Sequence, residues 1–166
     1  MTHSRVSDRD DAWLLVIDMQ RIFGERSSPW FTPRFAEASA AIQRLRPAFV
    51  EHTAVTRFLA LARPVGAWVP YYWTWSFALD PANAGLYELM PEFPVGDSPV
   101  IDRTTFGKWD GATQAAIGGS REIVLAGVST DCCVISTALA AADSGVHVRV
   151  VADACAGVSD GDHQRA

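Results

Sequence analysis

Residues 122–153 run EIVLAGVSTDCCVISTALAAADSGVHVRVVAD, and three patterns follow one another along them. Glu122 to Val128 is a nearly continuous apolar run of strand length, which predicts a strand buried on both faces. Ser129, Thr130 and Asp131 are helix-capping residue types. The segment after them is rich in alanine, and Gly145 is placed to end a helix there. Val146 to Asp153 then predicts a second strand. Two strands joined by a helix pair in parallel, because only a crossover of that length brings the chain back to the same end of the sheet.

The same alternation extends toward the N-terminus. WLLVIDM (Trp13 to Met19) is a second apolar run of strand length that ends in a charge. From Pro33 the pattern is helical through RFAEASAAIQRLRPAFVEH. TAVTRFLAL (Thr53 to Leu61) and PVID (Pro99 to Asp102) predict strands, and WDGATQAAIGG a weak helix closed by two glycines. Residues 62–99 hold six of the nine prolines, and they predict a long irregular excursion with a short helix at NAGLYELM. The fold class is therefore α/β: one three-layer α/β/α, Rossmann-like domain over residues 1–166, with a doubly wound parallel sheet. Ligands in such sheets bind beyond the carboxyl ends of the strands. That restricts the candidates to Asp18, Arg103 to Lys108, Ser129 to Cys133, and Asp153 to Cys155.

Bulk properties narrow the function classes. A net charge of −5 argues against nucleic acid or an anionic membrane as partner. No apolar run approaches the roughly 20 residues that span a bilayer, and the first eleven residues lack a signal peptide's apolar stretch. Three cysteines, two of them adjacent, do not make a disulfide framework. A cytoplasmic location is the expectation. No metal-ligand spacing, Walker loop or GxGxxG pattern is present, so the expected cofactor set is empty and the partner a small-molecule substrate.

Each candidate has a plain reading as well as a chemical one. Asp18 is a helix cap or loop charge, or else a general base. Cys132 and Cys133 are small core residues, or one of them is a nucleophile in a first helical turn, where peptide dipoles favour a thiolate. Successive helical residues point about 100° apart, so only one thiol can face a site. His52 and His147 precede strands and fall at the wrong edge, His3 lies in the tail, and nothing positions His163. Arg103 and Lys108 are solvated charges, or else one is the cation beside the thiol. WVPYYWTW (Trp68 to Trp75) is loop packing, a subunit contact or a substrate wall, and it motivates a homodimer or homotetramer.

LLVIDMQRIFG, followed far downstream by VLAGVSTDCCVISTALAAADSGVHVRVVADACAG, resembles the isochorismatase-like cysteine hydrolases, which include nicotinamidases and N-carbamoylsarcosine amidases. The resemblance covers the chain from about Trp13 onward. It implies Cys133 as nucleophile, with Cys132 at a variable position, and Asp18 as the acid–base aspartate. It implies Gln20 and Phe23 at the substrate, Phe23 lining the pocket, and the N–H groups of Ser129 and Cys133 as the oxyanion hole. It also implies a cis Val128–Ser129 peptide. The register of VIDRTTFGKW puts Arg103 at the family's lysine position, with Lys108 five residues on as the alternative cation. TRFLAL stands where metal-using nicotinamidases carry Asp-Trp-His, so no metal is expected. The chain stops where relatives continue through a further helix and strand. The implied function is metal-independent hydrolysis of a small amide or carbamoyl compound through a Cys thioester. The alternatives are vinyl-ether hydrolysis of isochorismate type and a non-enzymatic binding protein on the same scaffold.

Overall fold

The structure, a computed structural model, describes residues 11–166; the reading of His3 lies outside them. Five strands, β1 (Trp13–Ile17), β2 (Thr53–Phe58), β3 (Val100–Arg103), β4 (Glu122–Val128) and β5 (His147–Ala156), form one sheet in the order β3-β2-β1-β4-β5. Every neighbouring pair is parallel. Among the described residues five α-helices lie in the connections, α1 (Arg21–Gly24), α2 (Phe35–Leu45), α3 (Trp68–Thr74), α4 (Gly111–Ala116) and α5 (Ile135–Asp143), and a sixth, α6 (Asp160–Arg165), follows β5.

The unbroken apolar run of β1 is explained by what it touches. Leu14 and Val16 pack on one face with Val55, Val124 and, from α2, Ala38 and Ile42. Leu15 and Ile17 pack on the other with Leu125, Val134 and, from α5, Ala141. Side chains alternate across a strand, so a strand covered on both faces needs apolar residues at every position. Complete burial of each Leu or Ile is worth about 1.5–3 kcal/mol. Pro47 ends α2 as its missing N–H requires, and the chain continues as a short 3₁₀ turn over Arg46–Phe49.

The strand order fixes the place of the site. From β1 the chain steps outward to β2 and β3, then returns to lay β4 on the opposite side of β1. The order therefore reverses between β1 and β4. The crevice beyond the carboxyl ends of those two strands is the topological switch point. Asp18 follows β1, and the turn carrying Cys133 follows β4.

Gly127 allows the two strand ends to come that close. The β4–β5 register breaks between Leu125 and Gly127, and Gly127 adopts φ +130°, a conformation that favours glycine. A Cβ there would lie 2.1 Å from the carbonyl oxygen of Ile17, the residue before Asp18.

The excursion is more ordered than its prolines predict. Trp68–Thr74 is a helix, followed by 3₁₀ turns over Ser76–Leu79 and Pro81–Tyr87, the second covering the first part of the expected helix at NAGLYELM in 3₁₀ form. Pro70 is the third helical residue, within the first turn, where the backbone N–H has no helical partner to lose. The aromatic rings face inward: Trp68 and Tyr71 both pack on Phe106, and Tyr71 and Trp75 on Trp30. Trp73, 77% exposed, is the exception.

Replacing Gly127 with Ala is expected to destabilise the fold by about 2 kcal/mol or more, through the clash and the positive φ. Thermal unfolding would register this as a fall in Tm of roughly 4–8 °C.

Candidate active site

Asp18 is the first residue after β1. It is fully buried and is the one non-glycine among the described residues with positive φ, +49°. Asp and Asn visit this region more readily than other residues, but at a cost. The backbone turn there aims the carboxylate back over the sheet. Thr56 of β2 donates its hydroxyl to Asp18 Oδ1 at 2.6 Å and accepts the Asp18 N–H at 3.2 Å. Sequence reading missed Thr56; a hydroxyl in a buried strand, beside the carboxyl end of its neighbour, was the available signal.

Lys108 supplies the cation. Its Nζ lies 3.0 Å from Asp18 Oδ2, with both side chains wholly shielded from solvent. Nζ also donates to the Thr105 carbonyl at 2.6 Å and sits 5.1 Å from the centre of the Phe58 ring. Asp18 Oδ2 accepts no hydrogen bond; its contact with Lys108 is a charge contact, which leaves a lone pair free. A second threonine ties Lys108 to the turn that carries Cys133. Thr137 Oγ1 donates to the Cys133 carbonyl at 2.6 Å and accepts the Lys108 N–H at 3.0 Å.

The register argument that favoured Arg103 does not match this geometry. The Arg103 guanidinium turns away along α4, gripping the two carboxylate oxygens of Asp110 at 2.9 and 2.7 Å and Thr113 Oγ1 at 2.9 Å. Asp110 is the N-cap of α4, and it accepts the Thr113 N–H. The arginine holds the Asp110 carboxyl down at about 2, chiefly through these hydrogen bonds. The physical reason is proximity: β3 ends at Arg103, a capping carboxylate lies within reach, and the turn through Gly107 carries Lys108 back over the sheet.

Gln20 is also placed differently from its expected role at the substrate. Its Nε2 donates to the carbonyls of Phe58 (3.0 Å) and Tyr87 (2.7 Å), and its Oε1 accepts the Phe58 N–H at 2.8 Å. Fully buried and bonded to backbone on all sides, it clips the end of β2 to the excursion. Phe23 lines the pocket as expected.

The segment after β4 begins with a cis Val128–Ser129 peptide, as the resemblance implied. Thr130–Val134 then form a π-helical turn leading into α5, and the Ser129 carbonyl accepts from the N–H groups of both Cys132 and Val134. Ser129 Oγ donates to Asp131 at 2.6 Å, and Thr130 Oγ1 meets His163 Nδ1 at 2.8 Å, so α6 holds His163 at the Thr130–Val134 turn. Ser129, Cys132 and Cys133 form the floor of a cavity of about 220 Å³.

Sequence position suggested a depressed thiol pKa at Cys133, but its surroundings act the other way. Its hydrogen bond to the Cys132 sulfur pushes it well up, and burial and the nearby Asp18 carboxylate add to this; Lys108 opposes them. Cys132, half-buried, is lowered, first by accepting that hydrogen bond. Cys133 therefore rests as a thiol that needs a base. His52 and His147 lie together at the opposite edge of the sheet, beside Trp13. Leu59, Ala60 and Leu61, after β2, bring neither carboxylate nor imidazole, and no group of His, Cys, Asp and Glu among the described residues has the arrangement to hold a metal ion.

An isochorismatase domain model matches residues 12–166. A curated relative, isochorismatase domain-containing protein 2 of Xenopus laevis, is 37% identical over 81 residues, which are 47% of this chain and 40% of the relative's length. Three solved structures share the fold. A cysteine hydrolase from Pseudomonas syringae superposes with TM-score 0.80 at 19% identity, covering 94% of this chain and 82% of that one. An N-carbamoylsarcosine amidase from Thermoplasma acidophilum gives 0.73 at 20% identity, with 93% and 88% covered. A nicotinamidase from Staphylococcus aureus gives 0.65 at 19% identity, with 93% and 90% covered.

Two predictions follow from the electrostatics. Lys108→Met leaves Asp18 buried and unpaired and is expected to cost about 3–5 kcal/mol in denaturant unfolding. Arg103→Ala breaks a partly exposed pair and should cost about 1 kcal/mol or less. The second concerns Cys155, pushed up to about 11 by burial. Below pH 9 the thiol is protonated in both states. Above it the unfolded chain releases the proton while the fold retains it, so stability falls as pH rises from 9 to 11, by up to about 3 kcal/mol from this thiol. Urea midpoints at pH 7 and pH 10.5 measure the slope, and Cys155→Ala should flatten it.

Proposed function

We propose, since the chain belongs to the isochorismatase domain family, that it is a metal-independent cysteine hydrolase of a small amide or carbamoyl compound. The observation that carries this reading is the solvent-free Asp18–Lys108 contact beside a buried, protonated Cys133, with Asp18 Oδ2 accepting no hydrogen bond. A charged pair sealed from solvent beside a thiol raised well above its ordinary value, at a topological switch point, is where catalysis is expected. The names of two structural relatives, an amidase and a nicotinamidase, support cleavage of a C–N bond.

The steps are these. Asp18 Oδ2 takes the proton from Cys133 Sγ, and Lys108 compensates the negative charge as it moves to sulfur. The thiolate attacks the carbonyl carbon, forming a C–S bond. The backbone N–H groups of Ser129 and Cys133 receive the developing oxyanion, where each such donor is worth about 2.7–4 kcal/mol. The C–N bond breaks as protonated Asp18 passes its proton to the leaving nitrogen, so ammonia or an amine departs from a thioester. Water then gives a proton to Asp18 and its oxygen to the carbonyl carbon. The C–S bond breaks, the proton returns to sulfur, and an acid is released.

Ammonia release from a panel of small amides and ureides tests this. Cys133→Ala and Asp18→Asn should each reduce turnover by about 10³-fold or more, and Cys132→Ala by less than tenfold. An active Cys133→Ala protein, with activity lost instead in Cys132→Ala, would overturn the assignment.

A further inference from the structure

We infer that the pocket selects uncharged carboxamides bearing a single flat apolar ring and excludes substrates that carry a carboxylate. The inference rests on the amide-hydrolase reading and specifies its substrate class. Seven rings, those of Phe23, Trp30, Phe31, Phe58, Tyr71, Trp75 and Phe106, line the cavity together with Cys133. They support one another. Trp30 stacks on Phe23 (centroids 6.1 Å apart, planes at 10°) and meets Phe58 and Trp75 edge-on. Phe58 stacks on Phe106 (6.3 Å, 21°). Rings fixed in this way offer a preformed surface to a flat ligand, and offset or edge-to-face contact with such a ligand is worth about 0.5–1.5 kcal/mol beyond burial.

The polar groups of the lining complete the case. Besides the thiols they are the hydroxyls of Thr32, Tyr71 and Ser129, and none of the described residues lining the cavity is charged. Burial holds the Tyr71 phenol neutral. Two neighbouring cations, Lys108 and Arg103, are committed elsewhere. Lys108 has no solvent exposure and is matched by Asp18 and the Thr105 carbonyl. Arg103 is bound to Asp110, and the exposed Arg26 guanidinium lies over the lining ring of Phe31, 5.3 Å from its centre, outside the lining itself. A carboxylate entering this pocket would lose its hydration without gaining a partner, which costs several kcal/mol. An N-carbamoyl amino acid and a vinyl-ether dicarboxylate both meet that barrier. The volume of about 220 Å³ lies below the roughly 300–1,000 Å³ of sites for drug-sized ligands, which suits a ligand of about one ring.

Benzamide and 4-carbamoylbenzoate share a ring and an amide and differ by one carboxylate. Each is titrated into Cys133→Ala protein, which cannot form the thioester, with the fluorescence of Trp30 and Trp75 as readout; ammonia release is measured on the unmutated protein. The expected result is at least tenfold tighter binding of benzamide, with ammonia released from it and not from the anion. Equal or tighter binding of the anion, its comparable turnover, or no saturable binding of benzamide would overturn the substrate class. Selective benzamide binding without ammonia release from the unmutated protein would uphold the pocket's selectivity and overturn the hydrolase reading, so the two failures are distinguishable.

Discussion

A carboxylate and an ammonium, both sealed from solvent, face each other 3.0 Å apart beyond the carboxyl end of β1. Removing two charges from water costs several kcal/mol for each, and their attraction repays that only with good geometry and further hydrogen bonds. Both are present. Thr56 serves one oxygen of Asp18, and the Thr105 carbonyl and Phe58 ring serve Lys108. An apolar pair of similar volume would often be as stable or more so. Stability alone therefore explains the arrangement poorly, whereas the proposed proton transfer gives a reason to keep a carboxylate next to a thiol.

The surrounding structure holds that pair and the thiol in one frame. Threonine hydroxyls do most of it, because they are small and both donate and accept. Thr137 spans the backbones of Cys133 and Lys108, and Thr113 donates to the Lys108 carbonyl while accepting from Arg103. Arg103 thus steadies the loop that presents the lysine, without approaching the thiol. Gly127 works at the same junction from the sheet side, since any Cβ there would force β4 away from the end of β1.

Much of this was legible in the sequence. Apolar runs without alternation identified β1 and β4 as strands covered on both faces, and the chain order implied a doubly wound sheet. Asp18 and the Ser129–Cys133 segment emerged from position alone, as polar residues at strand ends. The choice between Cys132 and Cys133, and the cis peptide, came from the family resemblance. The choice of cation was not legible. The family register put Arg103 at the lysine position with Lys108 as the alternative, whereas a capping carboxylate seven residues on captures the Arg103 guanidinium. Gln20 was misjudged for a related reason: a polar residue at a strand end can face a substrate or satisfy backbone, and only the approach of Phe58 and Tyr87 decides. The helix Trp68–Thr74 was hidden by Pro70, which reads as a breaker unless its place in the first turn is known.

The molecule separates its two tasks by region and joins them at few residues. The sheet and the turns at its carboxyl edge carry Asp18, Lys108 and Cys133, and the excursion between β2 and β3 carries Tyr71 and Trp75 of the wall. Gln20 connects them, since one amide group bonds both the end of β2 and the excursion's Tyr87. Phe58 connects them again: one face of its environment is the Lys108 ammonium, the other the cavity. Rearranging the excursion could therefore change what the pocket accepts while the charged pair and thiol keep their places. Changes at Gln20 or Phe58 would disturb both at once. Variation in substrate on this scaffold is accordingly easiest between Arg63 and Pro99, and hardest at the two residues that tie the wall to the chemistry.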